Sequence, residues 1–157
     1  FQTLRGNMMI RKALMIMFTS LLLVGMPPVQ AATQDSAKSV TLYRSPQCGC
    51  CVGYAGYLRQ NGFAVTVKST EDLAQMNLLA GIPENYQGCH LSLVDGYTVS
   101  GHVPVNTLNK LLSEKPDIKG ITLPGMPMGS PGMSGTKSAP FTMYEIGGEN
   151  PQIYATE

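Results

Sequence analysis

The sequence predicts a mixed α/β domain, a small sheet with helices packed against it. Three observations carry that class. Short β-type runs alternate with segments of helical spacing in the order βαβαββα, a pattern that fits one sheet with flanking helices. An Asp95-Gly96 pair separates two β-type runs, and such a pair is a preferred two-residue hairpin connector because both positions need positive φ. Finally, only 13% of the 157 residues are charged and 43% are hydrophobic, a balance that excludes a disordered polyelectrolyte.

Val40-Thr41-Leu42-Tyr43 is the first strand, closed by Ser45-Pro46. A helix is expected from Cys51 to Asn61, where Tyr54, Ala55 and Leu58 give an apolar face and Gly62 suits the left-handed residue beyond its end. Gly53 and Gly56 oppose it, each costing about 1 kcal/mol against Ala inside a helix. Phe63 to Val67 is a second strand. Ser69, with Asp72 three residues on, is expected to cap a second helix carrying Leu73, Met76 and Ala80 and stopped by Gly81. Leu91–Val94 and Tyr97–Ser100 flank the Asp-Gly turn as a hairpin. Pro104 opens a third helix carrying Val105, Leu108, Leu111 and Leu112, ended by Pro116. From Gly120 onward seven of 38 residues are Gly and five are Pro, so the segment reads as irregular, with Phe141 to Ile146 returning as a last strand.

The other end of the chain reads differently. Arg11-Lys12 precedes an apolar run from Ala13 to Met26, followed by Pro27-Pro28 and the small-residue pattern Val29-Gln30-Ala31. A basic start, a short apolar core and such an ending describe a secretory signal peptide; a membrane span would need roughly 20 apolar residues. Met8 or Met9 is read as its start, with Phe1 to Asn7 as upstream sequence. Cleavage after Ala31 leaves one domain, residues 32–157, with a formal charge of −2, since Arg5, Arg11 and Lys12 leave with the leader. All four cysteines stay. The reading is therefore an exported protein, free of the membrane once the leader is cleaved. The charge also excludes a nucleic-acid partner, because no basic stripe is present to neutralise phosphates.

Chemistry concentrates in Ser45-Pro46-Gln47-Cys48-Gly49-Cys50-Cys51, between the first strand and the first helix. Free backbone N–H groups and the helix dipole there favour thiolates. Cys48 and Cys51 have the C-x-x-C spacing of a redox dithiol in a thioredoxin-type fold. Cys50 departs from that pattern, and three clustered sulfurs suit a soft metal better than a two-cysteine cycle. Cys89-His90 directly precedes the hairpin, in the loop that in a thioredoxin-like fold lies against the dithiol; His102 follows the hairpin's second strand. Thiolates, thioethers and imidazoles together favour Cu(I), with zinc competing for the Cys/His subset. No carboxylate cluster is visible in the sequence for Ca(II) or Mg(II). Met126, Met128 and Met133 lie in the Gly/Pro-rich segment and serve either as gap-filling side chains or as copper ligands. The cysteines also allow plain disulfides, with 48–51 plus 50–89 or 48–50 plus 51–89 both open; a bond between adjacent Cys50 and Cys51 would be strained.

The run from Leu42 to Cys51, then Gly88-Cys89-His90, Asp95-Gly96-Tyr97, Gly101-His102-Val103-Pro104, Pro124-Gly125-Met126-Pro127 and Gly129-Ser130-Pro131-Gly132-Met133, closely resembles the CopG-like family. These are small exported proteins linked to bacterial copper resistance and formerly a domain of unknown function. The resemblance runs from about Val40 to Ile146 in the same motif order, without departure at the sulfurs or the two histidines. It implies a thioredoxin-like fold modified around a copper site in a periplasmic setting, with Cys48, Cys50, Cys51 and Cys89 as copper-binding thiolates and His90 as a ligand or an adjacent group. His102 and the three methionines are further candidates. It also implies interconversion of Cu(I) and Cu(II), a copper oxidoreductase activity, and exchange with other periplasmic copper-handling proteins. Two alternatives stand beside it: a thiol–disulfide oxidoreductase using Cys48 and Cys51 with Cys89 as resolving thiol, and a structural module held by disulfides or zinc.

Overall fold

The computed structural model describes residues 37–148 and 150–157, all within one unit, Asp35–Glu157. The predicted leader lies outside the described residues. Seven strands form one sheet: β1 (Ser39–Arg44), β2 (Ala64–Ser69), β3 (His90–Val94), β4 (Tyr97–Ser100), β5 (Gly120–Thr122), β6 (Thr142–Ile146) and β7 (Ile153–Thr156), in the spatial order β2-β1-β3-β4-β5-β6-β7. Three helices, α1 (Gly49–Gln60), α2 (Leu73–Leu79) and α3 (Val105–Glu114), connect them, with a 3-10 turn at Glu84–Tyr86. Strand β1 runs parallel to β2 and antiparallel to β3, so the strand feeding the cysteine loop lies beside the strand that begins at His90.

The predicted mixed α/β class and its βαβαββα order stand, with three differences. Helix α1 starts at Gly49, before Cys51, with Cys48 at the N-cap and no side chain capping it. Ser69 does not cap α2: it is the last residue of β2, paired with Arg44, and the helix begins after Asp72, whose backbone N–H donates to the Thr70 hydroxyl. Sheet pairing of Ser69 wins over a capping box because it adds a ladder position in register with β1. The segment after Gly120 is not wholly irregular, since Gly120–Thr122 pairs with β4 and Ile153–Thr156 closes the far edge against β6. Phe141 and Glu157 exchange backbone hydrogen bonds of 2.7 and 2.9 Å that tie down that edge.

Two layers cover the sheet. On one face Tyr54 and Leu58 of α1 and Leu108 and Leu111 of α3 bury against Val40, Leu42, Val94 and Val99. On the other, Leu73 and Met76 of α2 pack on Ile82, Leu91 and Ile146, as their helical spacing predicts. The fully buried residue of α2 is nevertheless polar: Asn77 donates to the Leu73 carbonyl at 3.0 Å and accepts the Ser100 hydroxyl at 3.3 Å, so its burial is compensated. Asp95 and Gly96 both take positive φ, 48° and 83°, as the hairpin connector requires.

The Gly/Pro/Met segment between β5 and β6 reaches back over α1. Gly132, at φ +79°, lies so close that a Cβ there would stand 2.3 Å from the Tyr54 backbone nitrogen. Reciprocally, a Cβ on Gly53 would meet the Gly132 carbonyl oxygen at 2.8 Å. The helix glycine that seemed only a cost to helicity is thus a seat for this loop.

Candidate metal centre

The first half of the centre is the turn between β1 and α1. Arg44 Nη1 donates to the carbonyls of Ser45, Pro46 and Cys48 at 3.0, 2.9 and 3.3 Å, and the Cys48 N–H closes the turn on the Ser45 carbonyl at 3.0 Å. That clamp presents the cysteines at the uncapped N-terminus of α1, where backbone N–H groups lack intrahelical partners. Cys48 and Cys51 are joined as a disulfide, while Cys50 and Cys89 are free. Cys51 is fully buried and the other three are half-buried. Cys50 Sγ lies 3.4 Å from Cys48 Sγ and 3.8 Å from Cys89 Sγ, and Cys51 Sγ lies 3.6 Å from Cys89 Sγ.

The second half comes from the start of β3 and the end of β4. A Cβ on Gly88 would stand 2.3 Å from Gly101 Cα, an approach that brings Cys89 against His102. His102 Nε2 lies 2.9 Å from Cys89 Sγ, and His102 Nδ1 lies 2.6 Å from the Pro131 carbonyl. A carbonyl only accepts, so Nδ1 carries the proton, Nε2 presents its lone pair, and the Cys89 thiol donates to it. His90 Nδ1 stands 3.5 Å from Cys89 Sγ, while its Nε2 is buried without a partner. Tyr54 backs both imidazoles, with ring centroids 4.5 Å from His90 and 5.3 Å from His102, and its hydroxyl donates to the Val103 carbonyl at 2.9 Å.

Burial decides the protonation states. It pulls His90 down to about 3, helped by the nearby His102, and it lowers His102 as well, against the opposing Pro131 hydrogen bond. Burial, then the neighbouring Cys50, pushes the Cys89 thiol up to about 12. The helix-terminus argument for ready thiolates does not reach Cys89, which enters from a strand. Cys89 surrenders its proton only to a strong competitor for the sulfur, and His102 Nε2 is placed to receive it.

Cys48, Cys50, Cys51 and Cys89 form one group whose sulfurs all lie within 4.8 Å of one another, and Cys89, His90 and His102 form a second. Cys89 is common to both. Two sulfurs each about 2.3 Å from one ion are about 3.8 Å apart at tetrahedral and about 4.0 Å apart at trigonal angles. Cys50–Cys89 at 3.8 Å and Cys50–Met126 Sδ at 3.9 Å have that spacing. Cys89–His102 at 2.9 Å is too short for it and is a hydrogen bond instead. Of the predicted methionines, Met126 reaches the sulfurs. Met128 packs on Gly135 and lines a cavity of about 380 Å³ with Pro124, Pro127 and Phe141. Met133 sits half-buried in a turn, its N–H bonded to the Ser130 carbonyl.

Sequence reasoning missed three contributors. Arg44 lies inside the Leu42–Cys51 run but its residue type suggests no role there, Tyr54 reads only as an apolar helix position, and the Pro131 carbonyl acts through the backbone, which side-chain patterns do not report.

Residues 86–133 match the family described as a protein of unknown function, DUF411. No curated protein matches the chain. Two solved structures of copper resistance protein CopG are similar to it. Form 2 shares 32% identity over 77% of this chain and 98% of that one, with a TM-score of 0.70. Form 1 shares 33% identity over 76% and 96%, with a TM-score of 0.68. Motif order, fold and this likeness over nearly the whole of the solved chains agree, and the chain belongs to the CopG-like copper-resistance family.

Proposed function

We propose that this protein binds copper as its cargo, as Cu(I), in the periplasm after removal of a leader ending at Ala31, and that it serves copper resistance there. The single observation that carries the reading is the convergence of five sulfurs. Cys50 Sγ stands within 4 Å of Cys48, Cys89 and the Met126 thioether. Thiolates and a thioether are soft donors, which select Cu(I), whereas zinc competes mainly for the Cys/His group around Cys89. Cys48, Cys50, Cys51 and Cys89 are the principal ligands in this reading, with Met126 at the rim and His90 beside Cys89. His102 orients Cys89 and accepts its proton when metal takes the sulfur. Met128 and Met133 act as packing side chains of the loop. The sheet order β2-β1-β3-β4, with the cysteine turn at one end of β1 and Cys89 entering β3 beside it, supports a thioredoxin-like core.

The test is an anaerobic Cu(I) titration of the reduced protein against a competing chelator, with zinc in parallel. Tight uptake of Cu(I), weakened at least tenfold in Cys50→Ser, is expected. Zinc preferred over Cu(I), or a Cys50→Ser variant unchanged, refutes it. A second reading, a thiol–disulfide oxidoreductase, is favoured by the Cys48–Cys51 bond. It predicts that Cys50→Ser retains disulfide-reductase activity.

A further inference from the structure

Strand β2 ends the sheet, with β1 on its one paired side. Its residues pair in parallel with β1 without a bulge, from Ser39 with Ala64 through Arg44 with Ser69. The N–H groups of Ala64 and Thr70 donate to the carbonyls of Lys38 and Arg44 at 3.0 and 2.9 Å, so the even-numbered residues face β1. Strand alternation then turns the N–H and C=O groups of Val65, Val67 and Ser69 outward. Arg59 Nη2 donates to the Val65 carbonyl at 2.8 Å, which leaves the three N–H groups and the carbonyls of Val67 and Ser69 open. A straight edge of this kind, without Pro or bulge, is a template for another strand.

Charge decides what kind of strand fits. Between Lys38 and Thr70 the charged residues are Lys38, Arg44, Arg59 and Lys68, with no Asp or Glu among them. From Glu71 onward acidic residues outnumber basic ones, nine to four. Among the described residues the one ion pair is Lys115–Asp95, far from this edge in the chain. Arg44 is engaged by the carbonyls of the cysteine turn. Arg59 and Lys68 are exposed and flank the edge from opposite faces, Arg59 from α1 and Lys68 beside Tyr43, its Nζ 5.6 Å from the ring. We infer that the β2 edge docks an extended, acidic segment of another protein as an added strand, its backbone on Val65, Val67 and Ser69 and its carboxylates on Arg59 and Lys68. Glu71 and Asp72 follow β2 directly, so those carboxylates fit beside Ala64–Lys68 and not beyond Ser69. Two copies pairing β2 to β2 would set Arg59 and Lys68 against their own kind, which disfavours a homodimer. The far edge strand, β7, is a poorer occupant because the acids beside it are engaged. Glu157 accepts the Thr107 hydroxyl, and Glu114 accepts the Tyr154 hydroxyl at 3.3 Å.

The probe is a fluorophore-labelled octapeptide in which glutamate alternates with valine and threonine, its binding read by anisotropy on metal-free protein. One control peptide has lysine for glutamate; a second keeps the glutamates but is N-methylated at every backbone nitrogen, which removes strand pairing. The acidic peptide is expected to bind at least tenfold more tightly than either control. Raising NaCl from about 0.05 to about 0.5 M should weaken it at least fivefold. Amide exchange at Val65, Val67 and Ser69 should slow at least fivefold with peptide bound, while Thr66 and Lys68, already bonded to β1, keep their rates. Val67→Pro removes an outward donor and no ladder bond, and it should weaken binding at least tenfold, as should the Arg59→Gln/Lys68→Gln double variant. No binding of the acidic peptide up to about 1 mM overturns the inference. So does equal binding of the lysine or N-methylated peptide, or exchange that slows elsewhere and not at this edge. If the parent binds no peptide and Arg59→Gln/Lys68→Gln self-associates in light scattering, the two cations only guard the edge. A parent mass that grows with concentration makes a second copy the occupant and also overturns it. The control peptides and the salt series need no variant and decide the matter if Val67→Pro fails to fold.

Discussion

Gly53 and Gly56 lie one turn apart on the same helix, and the same substitution should move stability in opposite directions at the two. An Ala in a helix interior is better than Gly by about 1 kcal/mol. A Cβ at Gly56 meets nothing within 4 Å, so Gly56→Ala should gain most of that amount. A Cβ at Gly53 meets the Gly132 carbonyl oxygen at 2.8 Å and Gly132 Cα at 3.3 Å. Ordinary contact begins near 3.4 Å, so the loop must retreat by about 0.6 Å, and overpacking against backbone costs about 1–3 kcal/mol. After subtracting the helix gain, Gly53→Ala should be neutral to about 2 kcal/mol destabilising. It should then fall about 1–3 kcal/mol below Gly56→Ala. Urea unfolding of the two variants and the parent, all metal-free and in the same redox state, measures this through the shift in midpoint at constant m-value. The retreat also moves Pro131 from His102, so the ¹⁵N shifts of the His102 ring should lose their fixed Nδ1–H tautomer in Gly53→Ala and keep it in Gly56→Ala. Two variants within about 0.5 kcal/mol of each other, with His102 unchanged, would refute the seating of the loop on the helix.

Other perturbations separate the remaining contributions. Leu111→Ala empties a fully buried position between α3 and the sheet and should cost about 2–5 kcal/mol in the same unfolding assay. In metal-free protein, His90 titrates near 3 when folded and near 6.5 when unfolded, so the unfolded chain takes up the proton first as pH falls. Its contribution is complete above about pH 6.5 and declines by up to about 1.4 kcal/mol per pH unit toward pH 3; unfolding midpoints at pH 7 and pH 5 should show that slope in the parent and a shallower one in His90→Asn, where His102 still contributes in the same direction. Arg44→Gln removes the clamp on three carbonyls and should cost about 1–3 kcal/mol, with faster amide exchange at Cys48 as its local signature. If Met126 is the rim ligand, Met126→Leu should weaken Cu(I) binding about tenfold, near 1.4 kcal/mol, while Met128→Leu leaves it unchanged.

Much of this molecule is local in its logic, and that part was legible in the sequence. The Asp95-Gly96 turn, the apolar face of α1 and the buried Leu108 and Leu111 of α3 follow from backbone preference and period, which act over a few residues. The cysteine turn and Cys89-His90 were legible as chemistry because their residue types are scarce and clustered. What escaped was set by long-range contact. β5 spans three residues, too short for any period to register, and exists because β4 and β6 lie on either side of it. Ser69 looked like a helix cap until β1 claimed it for the sheet. His90 seemed the nearer ligand because it adjoins Cys89 in sequence, yet the Gly88–Gly101 approach brings His102 closer to that sulfur, 2.9 against 3.5 Å. Three methionines within eight residues of one another in sequence separate in space once the loop folds back on Gly53.

The sulfurs of the centre are unevenly buried, and Met126 is the most open of them. Cys51, His90, His102 and Tyr54 are closed off from water, whereas the Met126 side chain is 53% exposed and Cys50 lies directly behind it. Under the proposed copper function these sulfurs make one line, from an outer thioether through Cys50 to Cys89, each within 4 Å of the next. An ion on such a line never has to shed all its partners at once, because the next sulfur attaches before the last one lets go.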